Sequence, residues 1–225
     1  MKFLVIGADR GLGRVLVQML CEAGHEVAAG LYDQGNADSE QRNVLYLPMD
    51  VTNEEQLSNA AEKIRTDFGQ LDGVVSLAGV LLPSDRICNM MTEPIADLKR
   101  HMDVNAIGLV SAFRVCYPLM KQGSRYFAVT SEAGSYENPC DFFPGYSVSK
   151  VAANKYVEAL RMTADMSRTD LFAVHPGRMN TEMGHSTAEI EPEESARGFI
   201  GMLEGTIPVD GSREWFIDYL GRPMR

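Results

Sequence analysis

The sequence is poor in several features that would have set its class at once. Its four cysteines, Cys21, Cys88, Cys116 and Cys140, are widely and irregularly spaced with no CxxC pair. That speaks against a disulfide framework or a zinc site and for free thiols in a reducing compartment, so no metal is expected. Positive charge is in deficit, with 21 Lys and Arg against 31 Asp and Glu and a formal net charge of −10. Nucleic acid and anionic membrane surfaces are therefore poor candidates for the main partner, and any site for a phosphorylated ligand must be built locally against the global field. No apolar run approaches the length needed to span a bilayer. The opening stretch "MKFLVIGADRGLGR" is too short in its apolar part for a signal peptide and lacks a small-residue cleavage region, so a cytoplasmic location is expected. There is no internal repeat, low-complexity tract or obvious linker.

What is present is ordinary in amount and ordered in pattern. Hydrophobic residues make up 45% and charged residues 23%, as in a soluble protein with a real core. Short β-rich runs alternate with helical patterns. "KFLVIG", "EVAAGL", "NVLYLPMD", "LDGVVSLAG", "SRYFAVTS", "DLFAVHPG" and "EWFIDYL" read as strands. Between them, Leu12, Val15, Leu16, Met19, Leu20 and Ala23 recur at helical spacing until Gly24 stops them. Leu57, Ala60, Ala61, Ile64 and Phe68 form a second helix face behind an expected Thr52/Glu55 capping box. A long helical region is expected over about 92–120, broken near Asp103, then a helix over 146–165 and a capped acidic helix near 191–204. Strict alternation with apolar strands predicts an α/β fold: a doubly wound parallel sheet in three α/β/α layers, one domain over 1–225 with a substrate-loop segment around 182–205. Ligands in such sheets bind beyond the carboxyl ends of the strands, near the topological switch point.

Two motifs fall at those ends. "GADRGLGR" places Gly7, Gly11 and Gly13 between the first strand and the first helix. Glycine tolerates the tight turn, lets a dinucleotide approach the backbone, and leaves the N–H groups of the helix start for a pyrophosphate. In "FFPGYSVSK", Tyr146 and Lys150 stand four residues apart, one helical turn, where an ammonium can act on a phenol. Taken singly, each has a plain alternative: a glycine-rich turn, and a surface tyrosine beside a surface lysine.

The glycine spacing GxxxGxG, rather than the GxGxxG of the general dinucleotide fingerprint, resembles that of the short-chain dehydrogenase/reductase family, with Ile6 where the family usually has threonine. The resemblance runs over nearly the whole chain. In that family a basic residue at the place of Arg10 faces the 2′-phosphate of NADP, and an acidic residue closing the second strand marks NAD users. Leu31 holds that place here, with Asp33 two residues on, so the resemblance favours NADP(H) while NAD(H) stays open. "MDVT" matches the adenine-contacting Asp50 and Val51, and "SLAG" (Ser76–Gly79) keeps Ala78 and Gly79 of the family's NNAG without its asparagines. "DVNAIG" supplies the relay asparagine, Asn105. "VTSEAG" supplies the catalytic serine, Ser131, 15 residues before Tyr146 and slightly farther than usual, with Thr130 and Ser135 as fallback hydroxyls. "HPGRMNTEMG" matches PGxxxT through Pro176, Gly177 and Thr181, and His175 before it is left out of the site. Leu12, Tyr146 and Lys150 complete the cofactor set that the resemblance implies, Lys150 through the nicotinamide ribose. The chain ending resembles the compact C-factor/sniffer-like carbonyl reductase branch.

The resemblance implies hydride transfer between nicotinamide C4 and a carbonyl or carbinol carbon, with Tyr146 as proton donor in reduction and base in oxidation. A free phenol titrates near ~10, so Lys150 would be needed to lower it. Ser131 would polarise the substrate oxygen, and Asn105 would link Lys150 to solvent through water. The pocket loops, 80–92, 132–145 and 182–192, hold Leu81, Leu82, Met90, Met91, Phe142, Phe143, Met183 and His185, suggesting a small apolar aldehyde or ketone. A homodimer or homotetramer would pair through the helices of 92–120 and 146–165, and compact relatives include monomers. Two alternatives remain: a catalytically weak NADP(H)-binding sensor of the same fold, and an extended-branch epimerase, disfavoured by glycine spacing and by the short stretch after Thr181.

Overall fold

The computed structural model describes residues 1–37, 43–137, 143–184 and 188–225. Seven strands form one sheet in the order β3-β2-β1-β4-β5-β6-β7. They are β1 (Lys2–Ile6), β2 (Glu26–Leu31), β3 (Val44–Pro48), β4 (Leu71–Ser76), β5 (Met120–Val129), β6 (Thr169–His175) and β7 (Phe216–Asp218), and every neighbouring pair is parallel. Parallel pairing requires crossover connections, and five of the six carry a helix that covers a face of the sheet; between β2 and β3 the described residues hold only the short turn Gln34–Asn36.

The strands are mainly apolar because both faces of the sheet are covered, although the first part of β5 carries Lys121, Gln122 and Arg125. Along β1, Leu4 and Ile6 point to one layer while Phe3 and Val5 point to the other, and all four are wholly buried. One layer is made by α2 (Glu54–Asp67), α4 (Gly108–Cys116) and α5 (Pro144–Thr163), through Leu57, Ile64, Leu109, Phe113, Ala153 and Val157. The other is made by α1 (Gly11–Glu22) and α6 (Pro192–Glu204), through Leu16, Leu20, Phe199 and Met202. Within that second layer Phe127 packs against Phe172 at 5.4 Å with the rings tilted by 32°, and meets Phe199 edge-on at 5.9 Å. Truncating any of these rings to alanine would cost about 3–5 kcal/mol.

Three local expectations change. The start of α2 is capped by Asn53, whose side chain accepts from Gln56 N at 3.1 Å, and not by a Thr52/Glu55 box. Thr52 is diverted because its N–H and hydroxyl both go to Asp50 Oδ1, at 2.9 and 2.7 Å. The acidic helix α6 begins with Pro192 and has no side-chain cap; its stop is Gly205 at φ 84°. The long helix is interrupted, as expected, near Asp103: α3 (Ile95–Met102) passes through a π-helical turn, Asp103–Ile107, into α4, and Met120 already belongs to β5.

The chain reverses direction across the sheet between β1 and β4. From β1, strands β2 and β3 lie to one side and β4 to β7 to the other. The loops after β1 and β4 diverge there and leave a crevice, the place where ligands bind in such sheets.

Candidate active site

The first wall of the crevice is the glycine loop. Gly7 has φ +81°, and a Cβ on it would stand 2.8 Å from Ala78 N, so the loop packs directly on the backbone after β4. At Gly13 a Cβ would collide with Gly7 O and Ala8 Cα, which is what allows α1 to start so close to β1. Gly11 faces Thr181, whose Cγ2 would be 3.5 Å from a Cβ there. Loop, Ala78 and Thr181 thus meet around one cradle at the start of a 12-residue helix. Such a cradle fits a pyrophosphate, and a dinucleotide suits the residues present. Leu12 is buried in the core behind it.

One carboxylate, Asp9, was missed by sequence reasoning, and it meets the segment of Asp33. Asp9 accepts from Tyr32 N at 3.1 Å and Asp33 N at 2.7 Å, just beyond the end of β2. Asp33 in turn accepts from Gly35 N at 2.9 Å. Arg10 is 2.9 Å from Glu182, and both side chains are largely exposed, at 70% and 73%. Arg14, one helical turn further on, donates to Asp9 O at 2.9 Å. Asp50 is engaged with Thr52, and the Val51 side chain packs against Gly108 in the helix opposite.

The other end of the crevice is buried. The side chain of Asn105, in the π-helical turn, accepts from Val80 N at 2.7 Å and donates to Val80 O and Ser149 Oγ, each at 2.9 Å. Ser149 passes its own hydrogen to Tyr146 O at 2.7 Å. One asparagine therefore ties the segment after β4 to the first turns of α5. A π-turn inserts one residue and swings its side chain out of the regular ladder, and such turns recur at functional sites.

Lys150 is buried, with Nζ donating to Val129 O at 3.1 Å and standing 5.5 Å from the centroid of the Tyr146 ring. Burial alone lowers its pKa to about 8, because a desolvated ammonium loses hydration that one carbonyl does not replace. A Cβ on Gly79 would lie 3.3 Å from Asn105 Oδ1 and 3.5 Å from Lys150 Nζ, so both polar ends flank that glycine.

Ser131 lies at the end of β5 and starts a short turn, its Oγ accepting from Ala133 N at 3.1 Å. Accepting leaves its own hydrogen to give. The fallback hydroxyls differ: Ser135 is bound to Arg225 O, and Thr130 Oγ1 is buried with no hydrogen-bond partner among the described residues. His175 braces the Ser131 turn, its Nδ1 accepting from Glu132 N at 3.2 Å. Pro176 O accepts from Ser195 at 2.7 Å, and Gly177, at φ 86°, turns the chain towards Thr181.

The expected pocket loops are only in part apolar. Ile87, Met90, Met91 and Met183 are exposed on the segments after β4 and β6, while Leu81 and Leu82 are half-buried. Phe142 and His185 lie outside the described residues, as does Cys140. Beyond Ser131 a second cleft of about 250 Å³ is lined by Glu132, His175, Arg178, Glu189, Asp218 and Arg222 among others. Its charges are paired: Arg178 lies 2.5 Å from Glu132 and 3.3 Å from Glu189, and Arg222 lies 2.6 Å from Asp218. Among the described residues no cluster of His, Cys, Asp and Glu could hold a metal, and no helix is long and apolar enough to cross a membrane.

The family model described as short chain dehydrogenase matches residues 2–192. A 1-hydroxy-2-glutathionyl-2-methyl-3-butene dehydrogenase of Rhodococcus sp. (strain AD45) is 28% identical over 219 residues, covering 93% of each chain. In fold, the chain is similar to the carbonyl reductase Sniffer of D. melanogaster (TM-score 0.86, 20% identity, 99% and 98% of the two chains). It is equally similar to the NADPH-bound carbonyl reductase from chicken fatty liver (TM-score 0.86, 21% identity, 99% and 98%).

Proposed function

The chain belongs to the short-chain dehydrogenase family of oxidoreductases, and from that premise we propose an NADP(H)-dependent reductase of small, apolar aldehydes or ketones, reversible on the corresponding alcohols. The observation that carries the reading is the buried Lys150 ammonium 5.5 Å from the Tyr146 ring, at the end of a crevice whose other wall is the glycine loop. A cation so placed stabilises a phenolate and eases release of the phenol proton.

A nicotinamide nucleotide held at the cradle would supply the hydride, with its electron pair, to the carbonyl carbon. The chain supplies the rest. Gly7, Gly11, Gly13, Ala78, Gly79 and Thr181 offer backbone and hydroxyl to the pyrophosphate side. Pro176 and Gly177 shape the turn that carries Thr181, with Asp50 and Val51 towards the adenine. Ser131 keeps a hydrogen for the substrate oxygen, where negative charge would develop during reduction. Tyr146 gives that oxygen its proton and becomes phenolate. Lys150 stabilises the phenolate, and Asn105, by holding Val80 and Ser149, keeps the segment around both in register.

Preference for NADP(H) rests on Arg10 and Arg14 at the adenosine end and on the lack of an acidic residue closing β2, where Leu31 stands. The NADPH carried by the chicken carbonyl reductase supports it. The exposed Ile87, Met90, Met91 and Met183 support an apolar substrate. The exposed Ile107 on the π-turn and Val148 and Tyr156 on α5 support pairing of two copies through that layer. A single domain, acting in the cytoplasm, completes the reading.

The test is NADPH oxidation against a panel of aliphatic and aromatic aldehydes and ketones, with Tyr146→Phe alongside. Turnover that is lost in the variant while NADPH binding stays is expected. Cofactor binding without any turnover would instead make the protein a sensor, and a variant that keeps most of its activity would remove Tyr146 from the chemistry.

A further inference from the structure

The start of α5 is held by a segment that the reaction above does not use. Phe143, just before the helix, has φ 54° and ψ 61°, and it is the only non-glycine residue with positive φ among the described residues. A bulky side chain adopts that backbone only where its surroundings impose it. Phe143 also offers no capping side chain to the helix that follows.

Both needs are met from about sixty residues away, by the short turn Ser84–Arg86. The Asp85 carboxylate, 1% exposed, accepts from Gly145 N through Oδ1 and from Tyr146 N through Oδ2, each at 2.8 Å. The Arg86 guanidinium lies 5.5 Å over the Phe143 ring. The turn is itself anchored. Ser84 Oγ lies 2.7 Å from Glu93 and 2.6 Å from Asp97, and the wholly buried His101 stands 3.7 Å from Asp85 while its Nε2 accepts from Leu82 N at 3.2 Å. Gly145 fits over this group because a Cβ there would lie 2.9 Å from His101 Nδ1 and 3.0 Å from Leu98 Cδ2.

We propose that Asp85 is a positioning residue for Tyr146: it replaces the missing local cap, fixes the first turn of α5, and thereby sets the phenol relative to Lys150 and Ser131. The proposal rests on the reading of Tyr146 as proton donor. Its selectivity comes from where the two bonds fall. They hold only the first turn, which carries Tyr146. The rest of this 20-residue helix is secured by the burial of Lys150, Ala153, Asn154 and Val157. Helix ends fray locally when their orphan N–H groups lose partners, without the helix being lost. Removing Asp85 therefore loosens the proton donor and leaves the glycine-loop cradle, on a different element, intact.

The experiment compares full-length wild type with Asp85→Ala, Asp85→Asn, Gly145→Ala and Tyr146→Phe, using the best carbonyl of the panel and NADPH binding followed by fluorescence. Asp85→Ala is expected to lower kcat by roughly 10- to 100-fold, as a misplaced reacting group does, with NADPH affinity unchanged. Asp85→Asn keeps one carbonyl oxygen for one of the two N–H groups and should recover part of the loss. Gly145→Ala, which changes no charge, should also lower kcat. Wild-type kcat in Asp85→Ala, or kcat and NADPH affinity falling together across the three variants, overturns the proposal. If Asp85→Ala does not fold, undiminished kcat in Asp85→Asn and Gly145→Ala overturns it. An inactive Tyr146→Phe beside a fully active Asp85→Ala overturns the positioning role alone, whereas an active Tyr146→Phe overturns the tyrosine reading beneath it.

Discussion

The two ends of the crevice are built on opposite principles. At the end near Tyr146, polar groups are buried and held by neighbours: Lys150 on Val129 O, Asn105 on Val80 and Ser149, Asp85 on the start of α5. At the glycine-loop end the charges are exposed: Arg10 pairs across loops with Glu182, and Arg14 donates to the nearby backbone carbonyl Asp9 O. A buried charge in low dielectric acts strongly on its neighbour and costs stability, while an exposed one is screened and can change partners cheaply. Chemistry needs the first kind of site and discrimination between cofactors can use the second, so mutations at the two ends should differ in size and in kind.

The largest effect should come from Lys150→Met. Losing the ammonium beside Tyr146 removes the stabilisation of the phenolate, and a drop in kcat of about 10²–10⁴-fold is expected, the usual range for acid–base groups. Stability should move the other way. The folded pKa of about 8 lies below the ordinary 10.5. Between those two values the unfolded chain holds more protons, so this group's contribution makes stability rise with pH across that window. Below pH 8 the buried ammonium is a constant cost, on the order of 3 kcal/mol at most. Lys150→Met should therefore be more stable than wild type at pH 7, less the loss of the Val129 bond, with the gap closing as pH rises from 8 to 10.5. Urea unfolding of both proteins across that range measures it. A gap that stays constant with pH would mean that Lys150 is not desolvated, and the contrast between the two ends would collapse.

How much of this was legible in the sequence follows from the range of each interaction. The strands were readable because the inner ones are covered on both faces and carry continuous apolar runs, such as Phe3–Ile6 and Leu171–Val174, and Tyr146–Lys150 because one helical turn is a fixed spacing. The break expected near Asp103 is the π-helical turn Asp103–Ile107. The Asp85 cap was not readable, since its partners lie about sixty residues away and no local pattern marks it. The partner of Arg10, Glu182, is 172 residues distant and equally hidden. The Thr52/Glu55 pattern misled for the converse reason. It matched a local rule, but Asp50 two residues back competes for the same hydroxyl and N–H, and Asn53 caps instead.

A smaller effect is expected at the exposed end. Arg10→Ala should weaken NADPH roughly tenfold and leave NADH nearly unchanged, since charge-assisted bonds are worth about 1.5–3 kcal/mol before solvent screening reduces them. Comparing the KM of the two cofactors at one salt concentration reads it. Equal loss for both would mean that Arg10 serves the pyrophosphate or the loop, and not the 2′-phosphate.

The smallest effect is the sharpest test of how that end works. In the free protein Arg10 is held by Glu182, so a cofactor phosphate must displace a carboxylate from the same guanidinium. The bond to be broken is exposed on both sides and worth about 0–1 kcal/mol. Glu182→Gln should then tighten NADPH by about two- to fivefold, with kcat unchanged, because the competitor is removed and nothing at the Tyr146 end is touched. The gain should shrink at high ionic strength, where the ion pair is already screened, and vanish in the Arg10→Ala background, where there is no guanidinium to compete for. A gain that persists without Arg10 would place the action of Glu182 in plain repulsion of the anionic cofactor by the carboxylate, with the ion pair playing no part in recognition.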